Sequence, residues 1–279
     1  CRARRASGAA SRTARDRRLA RDRRARLARR NGGGDHTVRA CIAAGRATDN
    51  VGIGNTASTS SDNSVLYDTV APSVTVEQAT GQPDPTNTGP INFTVVFSEP
   101  VSGFTNADLV GNFGGTAAPT TAVITTGIGT TYNVAISGMA TDGTVTLSLP
   151  ADIAQDATGN SNTASTSTDN TVTYDTARPT VTINQDAAQL DPTSASPINF
   201  TVVFSEPVTG FTSADINLTG TAGATTAVIT AINSTTYNVA VSGMTVSGTV
   251  TPFVFVNAAQ DAAGNNSFAS TSLDNTVTF

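Results

Sequence analysis

The residues from Pro90 to Asp108 return at Pro197 to Asp215 with two changes in nineteen positions. A repeat of this length and fidelity constrains a chain more than any local propensity, because it dictates several copies of one folding unit. Other anchors share the period. Tyr67-Asp68-Thr69 returns as Tyr174-Asp175-Thr176, a shift of 107. Asp49-x-x-Gly52 returns as Asp156-x-x-Gly159 and as Asp261-x-x-Gly264, shifts of 107 and 105. The chain therefore reads as a leader (1–34), the C-terminal remnant of one module (35–67) and two full modules (68–174 and 175–279). Modules of this size fold one by one, whereas short solenoid repeats need their neighbours. The whole looks like a piece of a longer array.

Within a module, Ile91, Phe93, Val95 and Phe97 alternate with Asn92, Thr94, Val96 and Ser98. Period two marks a strand with one buried face. Tyr132, Val134 and Ile136 alternate in the same way, as do Val145, Leu147 and Leu149. Shorter candidates are Ser73–Val76, Ala107–Val110, Ala122–Thr125 and Thr171–Tyr174. Seven short strands separated by turn signals predict an all-β fold of tandem immunoglobulin-like antiparallel β-sandwiches. The second module departs at Pro252-Phe253-Val254-Phe255. Pro is disfavoured inside a strand, so a bulge or register change is expected there, with Phe253 and Phe255 facing outward.

Charge is segregated. Thirteen of the 16 Arg lie in residues 1–30, and the chain has no Lys. From residue 31 onward, 3 Arg face 19 Asp and Glu, so the array carries about −16 against the overall −5. Such a surface recruits cations and is a poor nucleic-acid binder, since phosphate contacts need cations. No apolar run is long enough to span a membrane. The Arg-rich leader matches no part of the module. A helical basic arm, a disordered tail and out-of-frame translation of GC-rich DNA each fit it, and it carries no functional assignment. Cys1 and Cys41 make no disulfide framework, and a bridge between them is not expected.

The string Phe-Ser-Glu-Pro-Val-x-Gly-Phe-Thr-x-x-Asp, the Asp-Thr-x-x-Pro module starts and the Asp-x-x-Gly-Asn turns resemble bacterial Ig-like repeats of large surface adhesins and biofilm-associated proteins. The resemblance covers about 35–279. It implies an extracellular or cell-surface location and a mainly structural role, with neighbouring Ig-like modules of the same chain as partners.

No constellation for catalysis is present. The only His is His36, and a triad or zinc site cannot be built on one unrepeated His. The carboxylates do recur. In a seven-stranded sandwich the loops after the second, fourth and sixth strands return to the pole where the module begins. Asp68, Glu99, Asp108 and Asp156 should converge there, and Asp175, Glu206, Asp215 and Asp261 at the next module. Clustered carboxylates resist ionising together, and calcium relieves that cost with six to eight oxygen ligands in flexible geometry. Asp-x-x-Gly-Asn also reads as a tight turn in which Asp caps its own backbone. The expected function is a non-enzymatic spacer, stiffened by calcium at the module junctions. The alternative is a module that binds a cell-surface protein or glycan, for which Phe113, Phe253, Phe255 and Phe268 are the aromatics to inspect.

Overall fold

The fold was obtained as a computed structural model that describes residues 35–279. The readings of the Arg-rich leader fall outside those residues. Among these described residues, sixteen strands and two single-turn 3-10 helices, Asn106–Leu109 and Ser213–Asp215, make up the regular structure. No helix among the described residues is long and apolar enough to cross a membrane.

Contacts group the chain into two compact units, which follow packing rather than the sequence period. The first holds the described residues through Ser73 with Phe97–Phe104 and Ala151–Ala164. Among its described residues, one sheet pairs β1 (His36–Arg39) with β2 (Ser64–Tyr67). Its loops are tied by Ser98 N–H to Ser73 O at 2.9 Å and Thr163 N–H to Pro72 O at 2.9 Å. Phe97 and Phe104 meet edge to face at 5.6 Å. The expectation of no bridge is corrected at Cys41, which is exposed just beyond β1 and disulfide-bonded. The chain's other cysteine, Cys1, lies outside the described residues.

The second unit comprises Val74–Val96, Thr105–Pro150 and Ser165–Phe279. Its strands are β3 (Val74–Gln78), β4 (Ile91–Phe97, whose last residue belongs to the first unit), β5 (Phe113–Gly114), β6 (Thr121–Ile128), β7 (Thr131–Ser137), β8 (Gly143–Leu147) and β9 (Thr171–Tyr174). Then follow β10 (Val181–Gln185), β11 (Ile198–Phe204), β12 (Ile216–Thr219), β13 (Thr226–Ala231), β14 (Thr236–Ser242), β15 (Thr249–Val254) and β16 (Val277–Thr278). They form four antiparallel sheets in the orders β3-β4-β7-β6, β5-β8-β9, β10-β11-β14-β13 and β12-β15-β16.

The alternation read from the sequence sets the packing. Ile91, Phe93, Val95 and Phe97 on β4 are buried, as are Ile198, Phe200, Val202 and Phe204 on β11. Val181, Phe200 and Val239 from one sheet share a core with Ile216, Val250 and Val277 from the other, a β-sandwich arrangement. Each such side chain contributes about 1.5–3 kcal/mol by leaving water. Phe204, Phe211 and Tyr237 close one end as a ring of edge-to-face contacts at 5.1–5.9 Å.

Two local expectations are corrected. Ala107–Val110 is not a strand. Asp108 reaches back to accept hydrogen bonds from the Thr105 N–H at 2.7 Å and hydroxyl at 2.8 Å, which closes a capping box and favours a helical turn. Around Pro252 there is no bulge either. β12 and β15 pair in unbroken register, with Leu218 opposite Pro252 and Asn217 opposite Phe253. Pro252 sits where the ladder to β16 has already ended, that pairing covering Thr249 and Val250 alone. Leu147, at its position in the first repeat, donates its N–H to Asn170 O at 3.3 Å. Pro forgoes only that bond. Its carbonyl still accepts from Asn275 Nδ2 at 2.8 Å, as Leu147 O does from Asn170 Nδ2. Phe253 and Phe255 do face outward, in edge-to-face contact at 5.5 Å.

Truncating Phe200, which is fully buried, should lower unfolding free energy by about 3–5 kcal/mol in urea denaturation of Phe200→Ala. A loss below about 1 kcal/mol would mean that this alternating face is not the core.

Candidate metal centre

Three of the four carboxylates predicted for each pole come together. Asp68, Glu99 and Asp156 offer oxygens that all lie within 4.8 Å of one another, and so do Asp175, Glu206 and Asp261. Each set lies within one compact unit, the first set in the first unit and the second set in the second. In each, an Asp follows a strand end, a Glu follows the long inner strand in the turn Ser-Glu-Pro, and an Asp opens an Asp-x-x-Gly-Asn turn.

The turn shows why that last Asp is held in place. Asp156 Oδ1 accepts from the backbone N–H of Thr158 at 2.7 Å and of Asn160 at 2.9 Å. Gly159 takes φ +93° and Gly264 φ +90°, a left-handed conformation open to glycine. Asn160 Nδ2 donates to Asp156 Oδ2 at 2.8 Å and reaches the Asp68 carbonyl at 3.4 Å. Thr158 Oγ1 donates to Asp156 Oδ1 at 3.0 Å and Asp68 Oδ2 at 3.3 Å. The second set repeats the plan. Asn265 Nδ2 donates to Asp261 Oδ2 and to Asp175 O, both at 2.9 Å. Its Oδ1 accepts from Asn87 Nδ2 at 3.0 Å. One Asp thus both caps its own turn and stands in the acidic cluster.

Asp156 is buried at 6% exposure. Burial pushes its carboxyl up, but hydrogen bonds from the side chains and backbones of Asn160 and Thr158 outweigh it and hold the group down at about 2. Asp156 therefore contributes stability that is present above the ordinary Asp range and lost as pH falls toward 2. The glutamates move the other way. Burial, then repulsion from Asp156, Asp68 and Asp35, pushes Glu99 up. Burial, then repulsion from Asp261 and Asp175, pushes Glu206 up. The first centre thus pairs a carboxylate kept ionised by its donors, Asp156, with one that ionises reluctantly, Glu99.

Asp108 and Asp215 do not join the centres. Each carboxylate is taken up by its own capping box, Asp215 accepting from the Thr212 N–H and hydroxyl, both at 2.7 Å. Asp35, not among the predicted ligands, stands at the first centre. A hydrogen bond shared with Asp68 is the main cause of its raised pKa. The signal was its recurrence as Asp142, which accepts from the Thr176 N–H at 2.8 Å and hydroxyl at 2.7 Å.

The donor set is oxygen only, which suits a hard cation. Two oxygens on one calcium at about 2.4 Å can be at most about 4.8 Å apart, a bound that the oxygens of each triad meet, so each could in principle hold a hard cation. Magnesium, at about 2.1 Å, demands a tighter set. The other aromatics flagged from sequence are engaged locally. Arg178 stacks 4.2 Å from the Phe268 ring centroid, and Phe113 lies in β5 opposite Leu147. Comparison with protein-family models and with curated proteins gave no match.

Two outcomes check this geometry. Glu206 favours its protonated form in the fold, so its contribution is present below about pH 4.5 and is lost as pH rises through the raised value. Without divalent cations, Glu206→Gln should therefore raise Tm by about 1–3 °C at pH 7, after allowance for solvent screening. The gain should vanish near pH 4, and a lowered Tm at pH 7 would contradict the assigned repulsion. Asp215→Ala should cost about 1 kcal/mol through the lost cap, with calcium affinity by calorimetry unchanged.

Proposed function

We propose that the chain is a structural spacer from a secreted or cell-surface bacterial adhesin, built from tandem immunoglobulin-like modules and stiffened by calcium at the acidic centres. The observation that carries this reading is the recurrence of scaffold and centre together. Asp68, Glu99 and Asp156 stand at the same module positions as Asp175, Glu206 and Asp261. A spacer needs the same core and the same joint in every copy, whereas a recognition site needs to occur only once.

The strand orders support the immunoglobulin-like part. Lettered A to G along each module, the seven strands form sheets A-B-E-D and C-F-G, the order of a seven-stranded immunoglobulin-type sandwich. The joint is supported at the second centre. Asp175 directly follows β9, the last strand of one module, and is bound through its backbone to Thr86 O at 2.9 Å. Asn265 and Glu206 belong to the next module. An ion held by Asp175, Glu206 and Asp261 therefore ties the linking segment to the loops it enters. Each ion would take two or three carboxylates, and water would complete its shell.

Calcium at ten times its dissociation constant stabilises the folded form by about 1.4 kcal/mol per site, so Tm should rise by several degrees over a chelated sample. Small-angle scattering should show a particle at least as extended and narrower in its distribution of dimensions. No shift in Tm together with identical scattering curves would remove the calcium joint. Saturable glycan binding lost in Phe253→Ser/Phe255→Ser would favour the recognition alternative over the spacer.

A further inference from the structure

Residues 35–67 reproduce the closing third of a module. β1 pairs with β2 in the register Val38↔Val65 and His36↔Tyr67, as β8 pairs with β9 in the register Val145↔Val172 and Gly143↔Tyr174. Asn55 Oδ1 accepts from the N–H groups of Arg46 at 2.7 Å and Ala47 at 2.8 Å. Asn162 Oδ1 does the same with Ile153 at 3.0 Å and Ala154 at 2.8 Å. Asp49 Oδ1 accepts from Val51 and Ile53, as Asp156 Oδ1 does from Thr158 and Asn160.

Burial is what differs. Val145, Leu149 and Val172 are 0%, 2% and 0% exposed, while their counterparts Val38, Ile42 and Val65 are 59%, 60% and 69% exposed. In the last module the same three positions, Val250, Val254 and Val277, share one core with Val181, Phe200 and Val239 of the four-stranded sheet. Residues 35–67 thus form two strands of what is a three-stranded sheet in the full modules, and among the described residues their inner face lacks a cover. A lone two-stranded hairpin is marginal in water, and a contiguous exposed apolar face marks an interaction surface.

We propose that the β1–β2 face binds one kind of partner: a four-stranded sheet of the β3-β4-β7-β6 kind, whose inner strand carries Ile-x-Phe-x-Val-x-Phe. The inference rests on the module reading above. Such a partner also brings a Glu in the Ser-Glu-Pro turn toward Asp49, whose counterparts Asp156 and Asp261 each stand beside one.

The test inserts a second copy of residues 68–141 immediately before Asp35 in the full chain and follows amide exchange by NMR. Exchange at Val38 and Val65 should slow at least about 100-fold relative to the unmodified chain. Unchanged rates at these two amides, with the inserted residues themselves protected, would overturn the proposal. Should the insert stay unfolded, trypsin digestion of the unmodified chain decides. Cleavage after Arg39 and Arg46 well before Arg178 supports an open face. Resistance at both sites in a monomer, or protection that grows with concentration as a second copy covers the face, refutes it. Neither readout depends on calcium, so failure here is separable from failure of the spacer reading.

Discussion

Burial of one alternating face on β4 and β11 underlies everything else in this protein. A strand reading Ile-x-Phe-x-Val-x-Phe can hide its large side chains on one side only. It must therefore be the inner strand of a sheet packed on another layer. β4 is flanked by β3 and β7, and β11 by β10 and β14. The strand then ends in Ser-Glu-Pro, because Pro cannot extend the ladder. The buried face thus fixes where Glu99 and Glu206 emerge. The centres are positioned by the core, and the acids themselves do not organise it.

The loops are held by amide and hydroxyl groups that satisfy buried backbone. Asn162 is 2% exposed and Ser267 fully buried. Asn162 Oδ1 accepts two successive N–H groups, and Ser267 Oγ accepts the Ala259 N–H at 3.3 Å. An unpaired backbone group in these places would cost about 1–3 kcal/mol. Composition follows from this. A chain rich in Thr, Asn, Ser and Asp folds here without Trp because its long connections are pinned by side-chain-to-backbone bonds.

Much of this was legible in the sequence because period two and exact recurrence are strong signals. The parity of strand direction was enough to bring Asp68, Glu99 and Asp156 to one end. It failed at Asp108, where topology places the loop correctly but local chemistry decides the side chain: Thr105 lies three residues away and closes a cap with it. Asp35 was missed for the opposite reason. It stands outside the Asp-x-x-Gly and Ser-Glu-Pro signatures, and its approach to Asp68 depends on where the β1–β2 hairpin ends. Pro252 misled because propensity treats a strand as uniform. The ladder bond that it lacks lies at the strand's far end, where the pairing to β16 had already stopped.

The second centre combines two kinds of link with different responses. Asn265 joins Asp175 O and Asn87 through neutral hydrogen bonds, which neither salt nor a moderate change of pH removes, and Asp261 Oδ2 through a charge-assisted one. Asp261 and Asp175 repel Glu206, and such repulsion weakens as salt or a bound cation screens it. The asparagine acts as a fixed strut that keeps the segments near each other when the charges push them apart. Replacing the strut with an apolar residue would leave the repulsion unopposed, whereas replacing the Glu would leave the strut and remove the adjustable part.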